Sequence, residues 1–497
     1  MYSIDLLLVN PNDKRKHYGE LSTSFTAIEP PLFSALLAAY IRKHSFTVKI
    51  LDAEAEGLDP RGTAEQIVRY KPRVVGIGAL GANPSAASTP KMSAIRGILE
   101  ELDNAHSDLI RVLYGIHPSA LPERTLNEEN VDYVCKGECF TSMVELLAVV
   151  CNNGKNRDVD IPGIWYKRDN EIISNGWGSV IANLVDLPSP AWDLVPMEKY
   201  RAHNWHCFHA LDKRQPYGVV FTSLGCPFHC QYCNIHSLYE GKPGIRYRPL
   251  EAVIKDIDFL VNEFNVRNIK IVDELFTLNK ERVINLCNML IDCKYDLNIW
   301  AYARVDTVNK NLLERMKKAG IQWLCYGIET ASTKVREDVT KGQFSKKEIC
   351  DAISMTHAAG IHVIGNYLFG LPEDTLETME ETLSLAKELK CEYANFYTTM
   401  AYPGSELYQS AILRKVALPD SWSAYSQLSK DAVPLPTKYV SAADVLRFRD
   451  NAFFDYYSDT EYQLMIENTF GNDAVEHIRH MLTHKIEREL LKKGDAL

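Results

Sequence analysis

The stretch Gly225-Cys226-Pro227-Phe228-His229-Cys230-Gln231-Tyr232-Cys233 follows directly on the short apolar run at residues 219–223. Its thiols are spaced Cys-x3-Cys-x2-Cys on one loop placed just after a strand. Three thiolates this close hold three irons of a cubane cluster, and the missing fourth protein ligand leaves one iron open to a substrate or cosubstrate. A structural zinc ion needs a fourth ligand nearby. His229 and His236 are the candidates for that position, so a zinc site stands as the alternative.

Downstream of this loop, short apolar runs at residues 269–272, 299–303, 323–326, 362–369 and 393–397 alternate with helical patterns. With the run at 219–223 they predict a partial or complete barrel of about six β-α units whose site lies at its carboxyl face. Upstream, apolar runs at 4–9, 47–51, 73–78, 110–114 and 131–135 alternate with helical patterns at 32–42, 64–70, 91–102 and 141–150. That alternation predicts a doubly wound parallel sheet. Ligands on such sheets bind beyond the carboxyl ends of the strands, here at loops 10–29, 79–88 and 115–120. Residues 152–217 break the rhythm and read as a linker containing a hairpin at 161–175 around Arg168-Asp169-Asn170. After Pro403-Gly404, helical spacing at 445–457 and 474–491 predicts a helical cap. The fold class expected is α/β: a doubly wound parallel-sheet domain (1–151), the linker (152–217), a partial (β/α)6 TIM-like barrel (218–410) and a helical carboxy-terminal domain (411–497).

The chain has 497 residues, 46% hydrophobic and 24% charged, enough to bury a large core in two or three domains. A formal net charge of −10 with no extended basic block argues against nucleic acid as a partner. No run of about 18 apolar residues could span a bilayer, and the opening MYSIDLLLVNPNDKRKHYG reads as a buried strand followed by a polar loop. A soluble, cytoplasmic protein is expected. Twelve cysteines in such a chain are expected as thiols or metal ligands rather than disulfides.

The cysteine loop, with Tyr232 before the third cysteine, resembles that of the radical S-adenosylmethionine superfamily. The resemblance implies a 4Fe-4S cluster on Cys226, Cys230 and Cys233 whose open iron chelates the amino and carboxylate groups of S-adenosylmethionine. It also implies an electron donor such as flavodoxin or ferredoxin. Several other stretches look like the family's cosubstrate-binding elements, with Tyr232 counted among them. In Ile269-Lys270-Ile271-Val272-Asp273-Glu274, either Asp273 or Glu274 would meet the methionine amino group. In Ala303-Arg304-Val305-Asp306, Arg304 suits the carboxylate, or else pairs internally with Asp306. In Gly327-Ile328-Glu329-Thr330, Glu329 would bind the ribose or the amino group, or serve as a structural carboxylate. Asn366-Tyr367-Leu368-Phe369-Gly370-Leu371-Pro372-Glu373 resembles the segment that packs on adenine, through Phe369 and Gly370; it also reads as a strand ending in a glycine-proline turn.

The leading sheet resembles the cobalamin-binding domain of the cobalamin-dependent radical enzymes, through Glu29-Pro30-Pro31, Asp52-Ala53-Glu54, residues 78–88, Gly115-Ile116-His117-Pro118-Ser119-Ala120 and Lys136-Gly137-Glu138. Together with the barrel motifs the resemblance spans roughly residues 1 to 410. It implies a corrin at the carboxyl edge of the sheet, contacted by Ser85, Ser88, His117, Ser119 and Gly137; turn chemistry and helix capping are the other reading of these residues. Asp13, His17 and Gly19 lack the Asp-x-His-x-x-Gly spacing, which implies cobalt without a histidine lower ligand. Cys139 stands where the family often has glycine.

His203, Trp205, His206 and His209 would line a substrate pocket, form a metal site, or pack as aromatics at a domain junction. Cys287, Cys293, Cys325, Cys350 and Cys391 read as buried and inert. Trp422, Tyr425, Arg447, Arg449, Phe453, Tyr456 and Tyr457 would cap the pocket and set specificity, or form a packed amphipathic helix. The activity implied is methylation of an unactivated carbon, or of a phosphinate phosphorus, in a small molecule, through a 5′-deoxyadenosyl radical and methylcobalamin. An oxidative cyclase or ring-rearranging enzyme without methyl transfer is the alternative, and from another class a corrinoid-binding sensor or carrier with a structural cluster. Methylthio transfer is disfavoured, because Cys135, Cys139 and Cys151 do not resemble that family's pattern and no second cluster loop is evident.

Overall fold

The apolar runs of the first 135 residues form five parallel strands, β1 (Ile4–Asn10), β2 (Val48–Asp52), β3 (Pro72–Ala79), β4 (Ile110–Gly115) and β5 (Tyr133–Cys135), in the spatial order β2-β1-β3-β4-β5. This is a computed structural model, and it describes residues 3–14, 25–105, 109–153 and 159–494. Alternation along β1 divides its side chains between two cores: Leu6 and Leu8 join one, Leu7 and Val9 the other. The helices Leu32–Lys43, Pro60–Tyr70 and Met92–Asn104 cross over between strands. Because β1 pairs with β2 on one side and β3 on the other, the connections diverge at its carboxyl end, where such sheets bind ligands.

Part of the expected linker belongs to this sheet. β6 (Ile164–Arg168) and β7 (Glu171–Ser174) form the hairpin, pair antiparallel with β5, and extend the sheet to seven strands. Asp169 and Asn170 both take positive φ, +50° and +69°, the geometry of a tight two-residue hairpin turn.

The second sheet is a parallel array of β8 (Tyr217–Val220), then, after the short antiparallel pair β9 (Ser223–Leu224) and β10 (Arg246–Tyr247), β11 (Asn268–Ile271), β12 (Asn298–Ala303), β13 (Ile321–Glu329), β14 (His362–Phe369) and β15 (Tyr393–Thr398). Its order is β15-β14-β13-β12-β11-β8, so β8 and β15 do not pair and the barrel is open. Loops of the first sheet reach its interior: Lys270 of β11 places Nζ 2.9 Å from Glu29 Oε2 and donates to the Ala82 carbonyl at 3.0 Å. A buried ion pair thus joins the two sheets, and removing either partner would strand a charge.

The carboxy-terminal segment finishes the edge at β15. From the helix Ala442–Tyr457, Arg449 Nε donates to the Phe396 carbonyl at 2.7 Å, Tyr457 to that of Ala394 at 2.7 Å and Tyr456 to that of Cys391 at 2.6 Å. Unpaired strand carbonyls are thereby satisfied by side chains. A helix not expected from sequence, Thr460–Phe470, begins at an Asp459 cap, and the helix expected over 474–491 spans Asn472–Leu482. Thr483 Oγ1 bonds the His480 carbonyl at that end, and a separate helix follows at Glu489–Gly494. No helix among the described residues is long and apolar enough to cross a membrane.

Candidate active site

The cysteine loop leaves β9 at Gly225, whose φ of +93° and close approach to the Gly244 carbonyl leave no space for a Cβ. The loop is tied down on every side. Gly244 N–H donates to the Cys226 carbonyl at 3.0 Å, Gln231 N–H to that of Val339 at 3.2 Å, and Asn234 Nδ2 to that of Pro403 at 2.9 Å. His236 Nε2 lies 2.8 Å from the Phe228 carbonyl and His229 Nε2 lies 2.6 Å from Glu406 Oε1. Both candidate fourth zinc ligands are therefore engaged elsewhere.

Cys226, Cys230 and Cys233 all line one cavity of about 260 Å³ at the carboxyl end of the barrel. Burial pushes Cys226 up to about 12 and Cys233 upward, so thiolates there call for a cationic partner, which cluster irons supply. Ser85, Tyr232, Glu274, Arg304 and Glu329 line the same cavity. Ser85 Oγ is 3.4 Å from Cys233 Sγ, which brings the first sheet's 79–88 loop against the cysteine loop.

The polar lining is paired into two groups. Arg304 is held fork-to-fork on Asp306 at 3.0 and 2.9 Å, and its guanidinium lies 3.8 Å over the Phe228 ring. The internal salt bridge and the cavity position are thus both present. Glu329, at a φ of +66° beside a register shift in β13, accepts from Tyr232 at 3.1 Å and from Lys341 Nζ at 2.8 Å. Burial pushes Glu274 up to about 7, and its carboxyl accepts from Gly225 N–H at 3.2 Å and from Tyr239 at 3.3 Å. Cations at Arg304 and Lys341 beside carboxylates at Glu329 and Glu274 match a zwitterion such as the amino acid end of S-adenosylmethionine.

Seven residues expected at the site lie outside this cavity: Asp273, Phe369, Gly370, Ser88, His117, Ser119 and Gly137. Asp273 is fully enclosed and accepts from Thr222 N–H, Thr222 Oγ1 and Ser223 Oγ at 2.5–2.6 Å, fixing the start of β9 to the end of β11. Phe369 stacks on Phe396 and meets Phe448 edge-on, and Gly370, at a φ of +82°, turns the chain where a Cβ would strike Val445. Their strand reaches the cavity through Asn366 and Leu368 instead. Ser88 Oγ accepts from Gly81 N–H at 3.1 Å within its own loop. His117 is buried 3.3 Å from Thr89 Oγ1 and edge-on to Trp422.

Ser119 and Gly137 bond each other, N–H to Oγ at 2.9 Å. Ser119 lines a second opening of about 170 Å³, shared with Lys136, Trp177, Cys230 and Cys233. In the neighbouring turn Cys139 takes a φ of +73°, the conformation a glycine would favour. Glu138 is held bidentately by Arg246 of β10 at 2.6 and 3.0 Å, so this turn ties the first sheet to the cysteine loop. Asp13 is described, but His17 and Gly19 lie outside the described residues.

A larger cavity of about 690 Å³ opens between the 79–88 loop, β15 and the carboxy-terminal helices. Asn83, Ala86, Tyr397 and Gln427 line both it and the cysteine cavity, so the two adjoin. Small residues, Ala86 and Ala87, form its wall on the first sheet's side, a surface a flat macrocycle can approach closely. Glu29-Pro30-Pro31, Glu54, Gly78 and Gly81 gather in a smaller cavity of about 110 Å³ against Tyr239 and Glu274. These features fit a corrin at the junction of the two sheets.

His203 and Trp205 line the large cavity, while Trp205 packs on Trp300 and Trp323, so pocket and junction are one place. Arg447, Arg449 and Phe453 line it too, whereas Tyr456 and Tyr457 serve the β15 edge. Trp422 packs against the first sheet's His117, and Tyr425 is buried. Of the remaining cysteines, Cys287, Cys325 and Cys391 are buried and Cys293 and Cys350 half-buried. Sequence reasoning missed Lys341, whose Thr340-Lys341-Gly342 context looks like a solvated turn; only the fold brings it, 8% exposed, onto Glu329.

Comparison with known proteins agrees with this geometry. Residues 220–386 match the Radical SAM superfamily, and residues 21–147 match the B12 binding domain. An uncharacterized methyltransferase of Pyrococcus horikoshii is 31% identical over 430 residues, 86% of this chain and 88% of that protein. An anaerobic magnesium-protoporphyrin IX monomethyl ester cyclase of Rubrivivax gelatinosus is 26% identical over 412 residues, 81% of this chain and 69% of that one. The radical S-adenosylmethionine methyltransferase TsrM of Kitasatospora setae, solved with cobalamin and a [4Fe-4S] cluster bound, superposes with a TM-score of 0.67 at 18% identity, covering 93% of this chain and 90% of that one.

Proposed function

The chain belongs to the cobalamin-dependent radical S-adenosylmethionine enzymes, and from that premise we propose that it methylates an unactivated carbon of a small molecule held in the 690 Å³ cavity. The observation that carries this reading is the adjacency of the two cavities: the cysteine loop and the 79–88 loop share one lining, so both cofactor sites open onto the same space. When bound, the cluster with S-adenosylmethionine supplies one-electron radical chemistry and cobalamin supplies methyl transfer.

The chain's own residues hold and orient. Cys226, Cys230 and Cys233 are the cluster ligands; Arg304 and Lys341 receive the cosubstrate carboxylate, and Glu274 or Glu329 its amino group. Tyr232 fixes the Glu329 carboxylate through its hydroxyl. Asn83, Ser85, Ala86 and Ala87 form the corrin-facing wall, and Ser119 and Gly137 hold the turn beside the cysteine loop. Phe228, Leu368 and Met400 give the cysteine cavity apolar walls that exclude water. Residues 1–151, with the β6–β7 hairpin added to their sheet, then act as cobalamin domain and residues 218–410 as radical barrel, joined by the rest of 152–217 and capped by 411–497. A donor such as flavodoxin or ferredoxin would deliver its electron at the second opening, where Cys230 and Cys233 lie beside Lys136 and Trp177. The nine cysteines outside the cluster loop, all as thiols, support a cytoplasmic location.

The cyclase relative favours a second reading, radical chemistry without methyl transfer. Incubation of reduced holoenzyme with S-adenosylmethionine and candidate small molecules separates the two. Methyl transfer yields 5′-deoxyadenosine and S-adenosylhomocysteine together; 5′-deoxyadenosine alone supports the cyclase reading, and neither product supports a corrinoid sensor or carrier.

A further inference from the structure

At the opposite, amino-terminal end of the barrel, a carboxylate and three imidazoles that line neither cavity meet. His362 opens β14 and Glu392 directly precedes β15. His362 Nδ1 lies 3.2 Å from Glu392 Oε1, while Glu392 Oε2 accepts from Val363 N–H at 2.8 Å and faces His357 Nε2 at 3.1 Å. From the segment before β8, His209 brings its Nε2 to 3.2 Å from His362 Nε2. Both rings rest on Phe470, at centroid distances of 4.7 and 4.8 Å.

The carboxylate fixes the proton on His362 Nδ1, so the Nε2 lone pair points outward at His209. Metal-ligating histidines are oriented in this way, by a carboxylate on the far ring nitrogen. Two nitrogens bound about 2.0–2.1 Å from a tetrahedral ion stand roughly 3.3 Å apart, close to the separation found here. The nearby Lys317 ammonium is turned onto Gln322 and leaves the gap to the imidazoles.

We propose that His362 and His209 form a two-imidazole site for a divalent transition-metal ion such as Zn²⁺, with Glu392 orienting His362 from behind and water completing the coordination. Among the described residues no group of three or more His, Cys, Asp or Glu converges on one ion, so binding rests on these two nitrogens. Exposed His209 leaves the ion a path in. A bound ion would pin the segment before β8 to the base of the barrel.

The test is equilibrium dialysis of the anaerobic cluster- and cobalamin-loaded protein against Zn²⁺ near neutral pH. Wild type should retain about one more zinc per chain than His209→Phe, which keeps a ring on Phe470. Glu392→Gln should weaken zinc affinity by about 10- to 100-fold. Zinc should also raise the thermal midpoint of wild type and leave that of His209→Phe unmoved. His209→Asn provides a second variant at this exposed position should the first fold poorly. Equal zinc content and affinity in wild type and the His209 variants would overturn the proposal.

Discussion

His117 offers a quantitative test of how the first sheet meets the carboxy-terminal segment. The residue is 1% exposed, set between Thr89 and the edge of Trp422. Burial, reinforced by the charges of Arg124 and Arg96, pushes it down to about 3. An unfolded histidine titrates near 6.5, so the unfolded state takes up the proton first as pH falls. The stability held by neutral His117 is therefore complete above pH ~6.5 and declines below it, down to about pH 3. At about pH 5 the loss is about 2 kcal/mol, and this figure barely changes for any folded value below ~4.

His117→Gln removes the titration while keeping a polar side chain near Thr89. Urea unfolding of the anaerobic holoenzyme at about pH 7 and pH 5 should show wild type losing about 2 kcal/mol more than the variant. Parallel pH dependence in the two proteins would refute the reasoning. Because His117 lies outside both cavities, cobalt content should be equal in the two; loss of cobalt from His117→Gln would return the residue to the corrin.

Further outcomes follow from the paired polar groups. Asp273→Ala removes the acceptor of three hydrogen bonds and should cost about 3 kcal/mol in chemical denaturation, whereas Glu274→Gln should leave stability nearly intact and weaken S-adenosylmethionine binding in equilibrium dialysis. Lys341→Met strands the Glu329 carboxylate and should destabilise by about 3 kcal/mol, while the Lys341→Met/Glu329→Gln double variant should regain most of the loss in thermal unfolding. Glu138→Gln loosens Arg246 and β10, and should speed the loss of iron to a chelator several-fold over wild type.

The two sheets, the open barrel and the cysteine loop were legible because each rests on local pattern: apolar runs at strand spacing, and three thiols fixed by chain spacing. Ser85, Glu274, Arg304 and Glu329 were legible because they stand at strand ends or in loops that the topology must bring to one face. Asp273 and Glu274 are adjacent just beyond β11; the sequence names the pair and only the Thr222 and Ser223 bonds decide which is structural. Lys341 and Gln427 enter through tertiary contacts with no local signature. The β6–β7 hairpin was recognised by its turn, but its union with the first sheet depends on pairing with β5, which no turn residue encodes.

The most direct test of the central claim is the iron and cobalt content of protein expressed anaerobically with cobalamin, compared with the Cys226→Ala/Cys230→Ala/Cys233→Ala variant. Wild type should hold about four irons per chain, lost in the variant, with about one cobalt per wild-type chain. Iron without cobalt would contradict the corrin at the junction of the two sheets, and zinc in place of iron would contradict the radical chemistry itself.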